Sequence, residues 1–223
     1  MKHREWHRPY AAYLFDLDGT LIDTAPDINV ALNHSLQQFG FKPVTEAHTR
    51  HWIGHGGRVL IEKALAHQDF SGDLESQLDQ MLIPFLDFYS DHHAVLSRIY
   101  PTVTTSLAEL KSRGAKLAVV TNKVTRLSEQ ILESLNLTPF FDWVVCGDTT
   151  PTPKPNPAPI FYCTERMQLT VTECLFVGDS ITDVNAARAA GTPIVCVRDG
   201  YNHGADVSQL DVDGVIDRFD ELL

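Results

Sequence analysis

Short apolar runs, each followed by small or polar residues, recur along the chain. Each run is about as long as a buried strand, and most are rich in the branched and aromatic residues that strands covered on both faces prefer. The runs are residues 12–15, 117–120, 143–146, 174–177 and 194–197. Helix-length stretches lie between most of them, at residues 103–112, 126–135, 158–167 and 183–190. This alternation predicts an α/β fold in which helices cover both faces of a parallel sheet.

The segment from residue 23 to residue 99 breaks the alternation. It contains no convincing strand but several amphipathic helical patterns, at 27–39, 58–66 and 74–89, the last of them kinked or divided by Pro84. We therefore predict a helical cap domain, residues 23–99, inserted after the first strand. The α/β core domain then comprises residues 1–22 and 100–223.

Composition and charge narrow the classes of partner. Hydrophobic residues make up 43% of the 223-residue chain, enough for a real core, and the net charge of −11 argues against a broad basic face for nucleic acid or an anionic membrane. No apolar run approaches the roughly 20 residues that span a bilayer, and the basic N-terminus leads into no signal-peptide core. The four cysteines have irregular spacing and are expected to be buried free thiols. We expect a cytoplasmic monomer or homodimer.

Two carboxylates follow the first apolar run directly, in the segment Asp16-Leu17-Asp18-Gly19-Thr20. The period of two along a strand directs Asp16 and Asp18 to roughly the same side. Two carboxylates held close together either share a proton or bind a cation. Gly19 allows the backbone to turn, and Thr20 offers a hydroxyl and an amide to an anion. An acidic strand end would explain a bare pair of aspartates, but the whole pentapeptide after a strand favours a site.

Three further polar clusters lie at or near the ends of later runs. Thr121, Asn122 and Lys123 follow the second run, Lys154 lies in a proline-rich loop after the third, and Asp179 and Asp183 follow the fourth. Taken alone, Thr121 and Asn122 are typical of a cap or turn, Lys154 of solvated surface and Asp183 of a helix N-cap. In an open parallel sheet, however, ligands bind at the carboxyl ends of the strands, so these clusters are predicted to converge. A site of oxygen ligands favours Mg²⁺ over zinc or copper.

The ten histidines offer a competing metal site, and their spacing argues against it. His51 and His55 are four residues apart without a glutamate between them, and His92 and His93 would diverge on a helix. No zinc motif is present. We expect these histidines on the surface or lining the cap.

The four clusters together resemble the motifs of the haloacid dehalogenase superfamily of phosphotransferases. They occur in order as DLDGT at 16–20, VTN at 120–122, Lys154, and GDSITD at 178–183. Within the superfamily the chain resembles the phosphoglycolate phosphatase branch, over nearly its whole length. The segments that carry this resemblance are FDLDGTLIDTAPD, HWIGHGG, VVTNK, KPNPAP, FVGDS and GYNHG. The resemblance implies a Rossmann-like core with an inserted helical cap.

The resemblance also implies roles for the clustered residues. Asp16 would attack phosphorus to form an aspartyl-phosphate, and Asp18 would protonate the leaving alkoxide and then deprotonate water. Mg²⁺ would be held by the Asp16 carboxylate, the Asp18 backbone carbonyl and Asp179, while Asp183 would bind it or orient its waters. The side chains that would hold the phosphoryl oxygens are Thr20, Thr121, Asn122 and Lys154.

The expected reaction is hydrolysis of 2-phosphoglycolate, a small phosphorylated metabolite, to glycolate and phosphate. The alternative is another small phosphate ester, a sugar phosphate or N-acetylmuramate 6-phosphate, because only the cap distinguishes these enzymes. A dehalogenase would lack Asp18, and a phosphohexose mutase tends to carry a β-branched apolar residue in place of Thr20. A non-catalytic binding protein would have lost a catalytic carboxylate or the loop lysine.

The choice of leaving group depends on the cap. His55 lies between two cap glycines where similar phosphatases usually carry asparagine. A cationic His55, or Arg58, would suit the carboxylate of 2-phosphoglycolate, and the alternative is that both are solvated cap residues.

Overall fold

The apolar runs form a six-stranded parallel sheet in a computed structural model that describes residues 6–223. The first five residues of the predicted core segment 1–22 lie outside this range. The strands of the sheet are β1 (Ala12–Phe15), β4 (Lys116–Val120), β5 (Trp143–Val145), β6 (Cys174–Gly178), β7 (Ile194–Val197) and β8 (Gly214–Ile216). Their order across the sheet is β5-β4-β1-β6-β7-β8, and every neighbouring pair is parallel. The predicted α/β fold is confirmed.

Helices cover both faces of the sheet, as parallel strands require. Alternate residues of β1 face opposite sides, so that Tyr13 and Phe15 pack in one hydrophobic cluster and Ala12 and Leu14 in another. Four helices that follow strands of the sheet are α5 (Val103–Ser112), α6 (Thr125–Ser134), α7 (Ala158–Met167) and α8 (Ile181–Ala190). The first cluster includes residues of α5 and α6, and the second includes residues of α7 and α8.

The strand and helix predictions for this part of the chain agree with the structure to within two residues at each end. The exception is β8, at the edge of the sheet, which the pattern missed. It is three residues long and follows Asp211 and Asp213, so it lacks the apolar run that revealed the other strands.

Four helices lie between the first strand of the sheet and α5. They are α1 (Ala25–Gln38), α2 (Glu46–Trp52), α3 (Gly57–Ala66) and α4 (Leu74–Asp91). Their apolar faces form a third hydrophobic cluster, which also takes in Leu127 and Tyr201 from outside this segment. The division into a core of 1–22 and 100–223 and a cap of 23–99 remains our prediction.

Three details of this segment could not be predicted from the sequence pattern. A short antiparallel ribbon joins β2 (Ile22–Asp23) to β3 (Arg98–Ile99), where no strand was expected. Helix α2 was also missed, because seven residues give too few turns for a clear period. Helix α4 continues through Pro84 and is not divided there.

Candidate active site

The pairing of the strands brings the polar clusters to one edge of the sheet. Phe15, the last residue of β1, pairs with Val119 of β4 and with Val177 of β6. The residues that follow these strands, including Asp16 and Asp179, therefore emerge side by side at the carboxyl edge. This is the edge at which open α/β sheets bind ligands.

Three carboxylates meet at this edge. One oxygen each from Asp16, Asp179 and Asp183 lies within 4.8 Å of the other two. Lys154, whose side chain is only 2% exposed, donates from Nζ to Asp16 Oδ1 at 2.8 Å and to Asp183 Oδ1 at 2.7 Å. The loop lysine thus lies inside the carboxylate cluster. Three carboxylates against one ammonium leave the cluster with an excess of negative charge.

The surroundings disfavour that charge. Burial raises the pKa of Asp16 to about 6, with Asp183 adding to the rise and Lys154 opposing it. Burial also raises the pKa of Asp179 well above its usual range, and the neighbouring carboxylates of Asp183 and Asp16 act in the same direction. A divalent cation between these oxygens would remove the conflict.

Asp183 has a structural task besides its place in the cluster. Ser180 is the N-cap of α8, and Asp183, three residues later, accepts through Oδ2 from the Ser180 hydroxyl at 2.8 Å and its amide at 3.1 Å. This is a capping box. Asp183 is therefore not the N-cap itself, and its Oδ1 faces Lys154 because Oδ2 is fixed to the loop.

The turn after β1 is shaped to admit Asp179. Gly19 has a φ of +87°, and a Cβ there would lie 2.5 Å from Asp179 Oδ2, so another residue would both strain the backbone and clash. The buried Thr20 hydroxyl donates to Asp179 Oδ1 at 3.0 Å. Thr20 thus orients a cluster carboxylate in this structure, whereas the sequence nominated it for phosphate.

Asp18 points to a different partner from Asp16. Its carboxylate accepts from Lys123 Nζ at 3.0 and 3.2 Å and from the Thr24 hydroxyl at 2.7 Å. Lys123 also donates to the hydroxyl of Tyr89, in α4, at 2.9 Å. Burial raises the pKa of Tyr89 to about 12, so the hydroxyl remains protonated at neutral pH. The two aspartates of the turn therefore have separate environments.

Thr121 and Asn122 lie in the same pocket as the carboxylates, as predicted. The Asn122 amide donates to the carbonyl of Lys154 at 2.8 Å and to the carbonyl of Gly54 at 3.0 Å. It thereby ties the lysine loop to the glycine loop before α3. In this conformation the amide hydrogens of Asn122 hold two loops together and are not directed at a ligand.

His55 and Arg58 are not among the described residues that line this pocket. Arg58 pairs with Glu75, at 2.6 Å, and with Asp79 on the exposed side of α4. The His55 ring stacks on that of His203, 5.4 Å away, and burial, together with Lys63 and His203, lowers its pKa. The expectation of a cationic His55 therefore conflicts with its surroundings, and Arg58 already has two carboxylate partners.

The pocket has a polar side and an apolar side. The carboxylates, Lys154 and Lys123 form the polar side, at the strand ends. The apolar side comes mainly from the helices inserted after β2, with Ile28, Ile53, Leu60, Phe85 and Leu86. A bound ester would thus be held between charged groups and a water-excluding wall.

Lys123, Tyr89 and Tyr201 line the pocket, but the sequence assigned none of them a role in the site. Lys123 and Tyr89 flank Asp18, as described above. Tyr201 lines the pocket, donates its amide to Asp179 Oδ2 and its hydroxyl to Asp23, at the start of the inserted helices. The segments VVTNK and GYNHG contained Lys123 and Tyr201, but only the folded chain reveals which carboxylates they contact.

Comparison with known proteins assigns the class. The model of the family described as haloacid dehalogenase-like hydrolase matches residues 13–197, and the chain belongs to this family. The predicted superfamily is thereby confirmed.

Relatives within the family are phosphatases. Phosphoglycolate phosphatase 1 of Pseudomonas aeruginosa is 39% identical over 211 residues, which cover 94% of this chain and 77% of the relative. The phosphoglycolate phosphatase of Nitrosococcus oceani is 38% identical over 210 residues, which cover 94% and 93%. The crystal structure of a predicted phosphoglycolate phosphatase from Haemophilus somnus 129PT matches with a TM-score of 0.90 at 32% identity, over 95% of this chain and 96% of that one. The predicted enzyme class, a phosphoric monoester hydrolase, is confirmed.

Two further expectations concern the rest of the molecule. Within residues 6–223, no helix is long and apolar enough to cross a membrane. The cysteines Cys146, Cys163, Cys174 and Cys196 are all buried and free, as predicted.

Proposed function

We propose that the chain hydrolyses 2-phosphoglycolate to glycolate and phosphate, with Mg²⁺, through an aspartyl-phosphate on Asp16. The observation that carries the proposal is the convergence of Asp16, Asp179 and Asp183 around Lys154, in one pocket with Asp18. The choice of substrate is supported by the relatives that are named phosphoglycolate phosphatase.

In the first step, a carboxylate oxygen of Asp16 attacks phosphorus. A bond forms between that oxygen and phosphorus while the bond to the glycolate oxygen breaks, and Asp18 gives its proton to the departing alkoxide. The two aspartates differ in their relation to the carboxylate cluster, because Asp16 belongs to it and Asp18 lies outside it, against Lys123. A cation bound by the cluster would keep Asp16 ionised and ready to attack.

In the second step, water attacks the phosphorus of the aspartyl-phosphate. Asp18, now a carboxylate, takes a proton from the water, and the bond between Asp16 and phosphorus breaks to release inorganic phosphate. Asp16 is regenerated, and Asp18 is again protonated. No redox partner is required.

Lys154 and Thr121 are the groups placed to hold the phosphoryl oxygens. Lys154 is buried and bonded to the attacking residue, so its charge is already positioned before substrate binds. The Thr121 side chain lies in the pocket, where its hydroxyl accepts the amide of Lys123 at 3.2 Å. Its hydroxyl hydrogen therefore remains to be donated.

The donors of the carboxylate cluster fit Mg²⁺. They are all oxygens, the ligand type that Mg²⁺ prefers. Burial raises the pKa of both Asp16 and Asp179, so their negative charges are unfavourable unless a cation is bound beside them. Asp16 and Asp179 would hold the ion, with Asp183 as a ligand or as an acceptor for its waters and the Asp18 carbonyl as the further ligand that the family resemblance implies. When bound, the ion neutralises charge on the transferring phosphoryl group.

The proposal also covers the compartment and the oligomeric state of the enzyme. We propose a cytoplasmic enzyme, supported by four buried free thiols, which suit a reducing compartment. We propose a monomer or a homodimer.

A substrate panel tests the proposal. We expect kcat/KM for 2-phosphoglycolate to exceed that for sugar phosphates and for N-acetylmuramate 6-phosphate by about tenfold or more, which corresponds to ~1.4 kcal/mol of transition-state discrimination. EDTA should stop the reaction and Mg²⁺ should restore it. A tenfold preference for a sugar phosphate would contradict the substrate, and full activity in EDTA would contradict the metal.

A further inference from the structure

Among the described residues that line the pocket, two carry a positive charge, Lys123 and Lys154. Lys154 lies between Asp16 and Asp183, on the side of the nucleophile. Lys123 lies on the other side, against Asp18, and its side chain is 6% exposed. The two cations therefore face different parts of a bound ester.

The position of Lys123 relative to Asp18 places it near the leaving group. Asp18 is the residue that serves the ester oxygen under the proposed function, and Lys123 Nζ lies 3.0 and 3.2 Å from its two carboxylate oxygens. In 2-phosphoglycolate, one carbon separates the ester oxygen from the carboxylate. A group that contacts Asp18 is thus within reach of that carboxylate when Asp18 contacts the ester oxygen.

Tyr89 supplies a second donor at the same place. Its hydroxyl accepts from Lys123 at 2.9 Å, and in none of the hydrogen bonds among residues 6–223 does it donate. A hydroxyl can accept and donate at once, so its hydrogen is available to an anion. Tyr89 belongs to α4, whereas Lys123 belongs to the loop after β4, so the two donors meet only when the inserted helices lie against the sheet.

We infer that Lys123 and Tyr89 together bind the carboxylate of the leaving group. The inference rests on the proposed function and names the residues that give it substrate preference. Phe85, Leu86 and Leu127 also line this pocket. Their apolar surfaces exclude water and so strengthen the attraction between the ammonium and an anion.

The two cap residues that the sequence nominated for this task are less well placed. Arg58 is engaged by Glu75 and Asp79 on the exposed side of α4. His55 stacks on His203. Neither is among the described residues that line the pocket.

A comparison of two substrates in Lys123→Met tests the inference. Ethyl phosphate keeps the small leaving group of 2-phosphoglycolate but lacks its carboxylate. The quantity measured is the ratio of kcat/KM for 2-phosphoglycolate to that for ethyl phosphate, which cancels effects common to both esters. We expect the ratio to fall by about 10- to 100-fold in Lys123→Met, as for loss of a charged hydrogen bond, and by about 2- to 10-fold in Tyr89→Phe.

Charge-matched controls accompany these variants. Lys42→Met removes one positive charge from an exposed position and should leave the ratio unchanged. Lys123→Arg keeps the charge and should recover part of the ratio. If Lys123→Met does not fold, Tyr89→Phe carries the test alone, because it removes a single hydroxyl.

The outcomes separate this inference from the proposed function. Suppose the wild type prefers 2-phosphoglycolate and this preference is unchanged in Lys123→Met, or in Tyr89→Phe if Lys123→Met does not fold. This result overturns the inference but leaves the proposed function standing. A fall of the ratio in Arg58→Met instead would assign the carboxylate to the cap arginine and would also overturn it. A wild-type enzyme that does not distinguish the two esters, or that prefers a sugar phosphate, overturns the substrate and the inference together.

Discussion

Asp179 lies at the most crowded point of the site. It is buried, and its carboxylate lies near those of Asp16 and Asp183. The Thr20 hydroxyl and the Tyr201 amide each donate to one of its oxygens. These two neutral donors orient Asp179 but do not neutralise it, so its charge is tolerated at a cost to stability unless a cation is bound.

This arrangement predicts that Asp179→Asn changes stability in opposite directions without and with metal. In EDTA, the variant loses a like-charge repulsion and should melt above the wild type, by about 2–4 °C for each ~1 kcal/mol gained. In excess Mg²⁺ the wild type should gain stability by binding the ion, and the variant should gain little. Thermal unfolding followed by circular dichroism in both buffers measures the two differences.

The exposed Asp87 provides the matched control for that experiment. It pairs with Arg126 at 3.4 Å and does not belong to the carboxylate cluster. Asp87→Asn should therefore melt close to the wild type in both buffers. A wild type whose melting temperature Mg²⁺ does not change would contradict the assignment of a metal site to this cluster.

Among individual residues, the sequence predicted those that directly follow a strand. Asp16, Thr121 and Asp179 could be placed because a strand end fixes both the position and the direction of the next side chain. Lys123 and Tyr89 could not be paired, because Tyr89 lies in a helix whose docking on the sheet depends on packing rather than on local pattern. The sequence alone therefore indicates His55 and Arg58 as the cations that would bind the carboxylate of the substrate.

Helix α1 shows how one element fixes the start and the end of the inserted segment. Asp27, in its first turn and 3% exposed, accepts from the amides of Leu96 and Ser97 and from the Ser97 hydroxyl. These residues immediately precede β3, which pairs with β2. A single carboxylate thus holds the two ends of the helical segment together.

Asp27→Ala should therefore destabilise the protein by about 3 kcal/mol, because it removes several charged hydrogen bonds and leaves buried donors without an acceptor. Urea unfolding measures the change in the free energy of unfolding. Asp87→Ala, which removes an exposed carboxylate from the same set of helices, should change it by less than about 0.5 kcal/mol. Equal effects in the two variants would contradict the role given to Asp27.

The elements that pattern could not predict are the short ones. The ribbon of β2 and β3 has two residues in each strand and offers no period to detect, and β8, although as long as the predicted β5, lacks an apolar run. The longer helices were found because their apolar stripes extend over several turns. Pro84 did not end α4, since the packing of Met81 and Phe85 in the third cluster stabilises the helix on both sides of it.

At the scale of the whole molecule, the pocket is formed only where the inserted helices meet the sheet. The contacts that cross this boundary include the bonds of Asn122 to Gly54, of Lys123 to Tyr89 and of His203 to the carbonyl of His51. Each of them joins a loop at the sheet's carboxyl edge to a helix or loop of residues 23–99. The chemistry is thus supplied by the sheet edge, and the surroundings of the leaving group by both parts.

The pattern of the chain was sufficient for most of the individual elements but not for the contacts between the sheet and helices α1 to α4. Strand ends and helical stripes are local features, and they predicted the sheet, most of the helices and the clustered carboxylates. The links across the boundary join residues far apart in the chain, 34 positions for Tyr89 and Lys123 and 152 for His51 and His203, and such pairs leave no periodic trace in one sequence.

The most direct test of the central claim is to detect the phosphoryl group on Asp16. The enzyme is mixed with 2-phosphoglycolate and Mg²⁺, quenched in acid during turnover, and the peptide that contains Asp16 is analysed by mass spectrometry. We predict that the wild-type peptide carries the mass of one phosphoryl group, and that Asp16→Asn neither carries it nor releases phosphate while remaining folded. Phosphate release at a near-normal rate by Asp16→Asn would contradict covalent catalysis by Asp16.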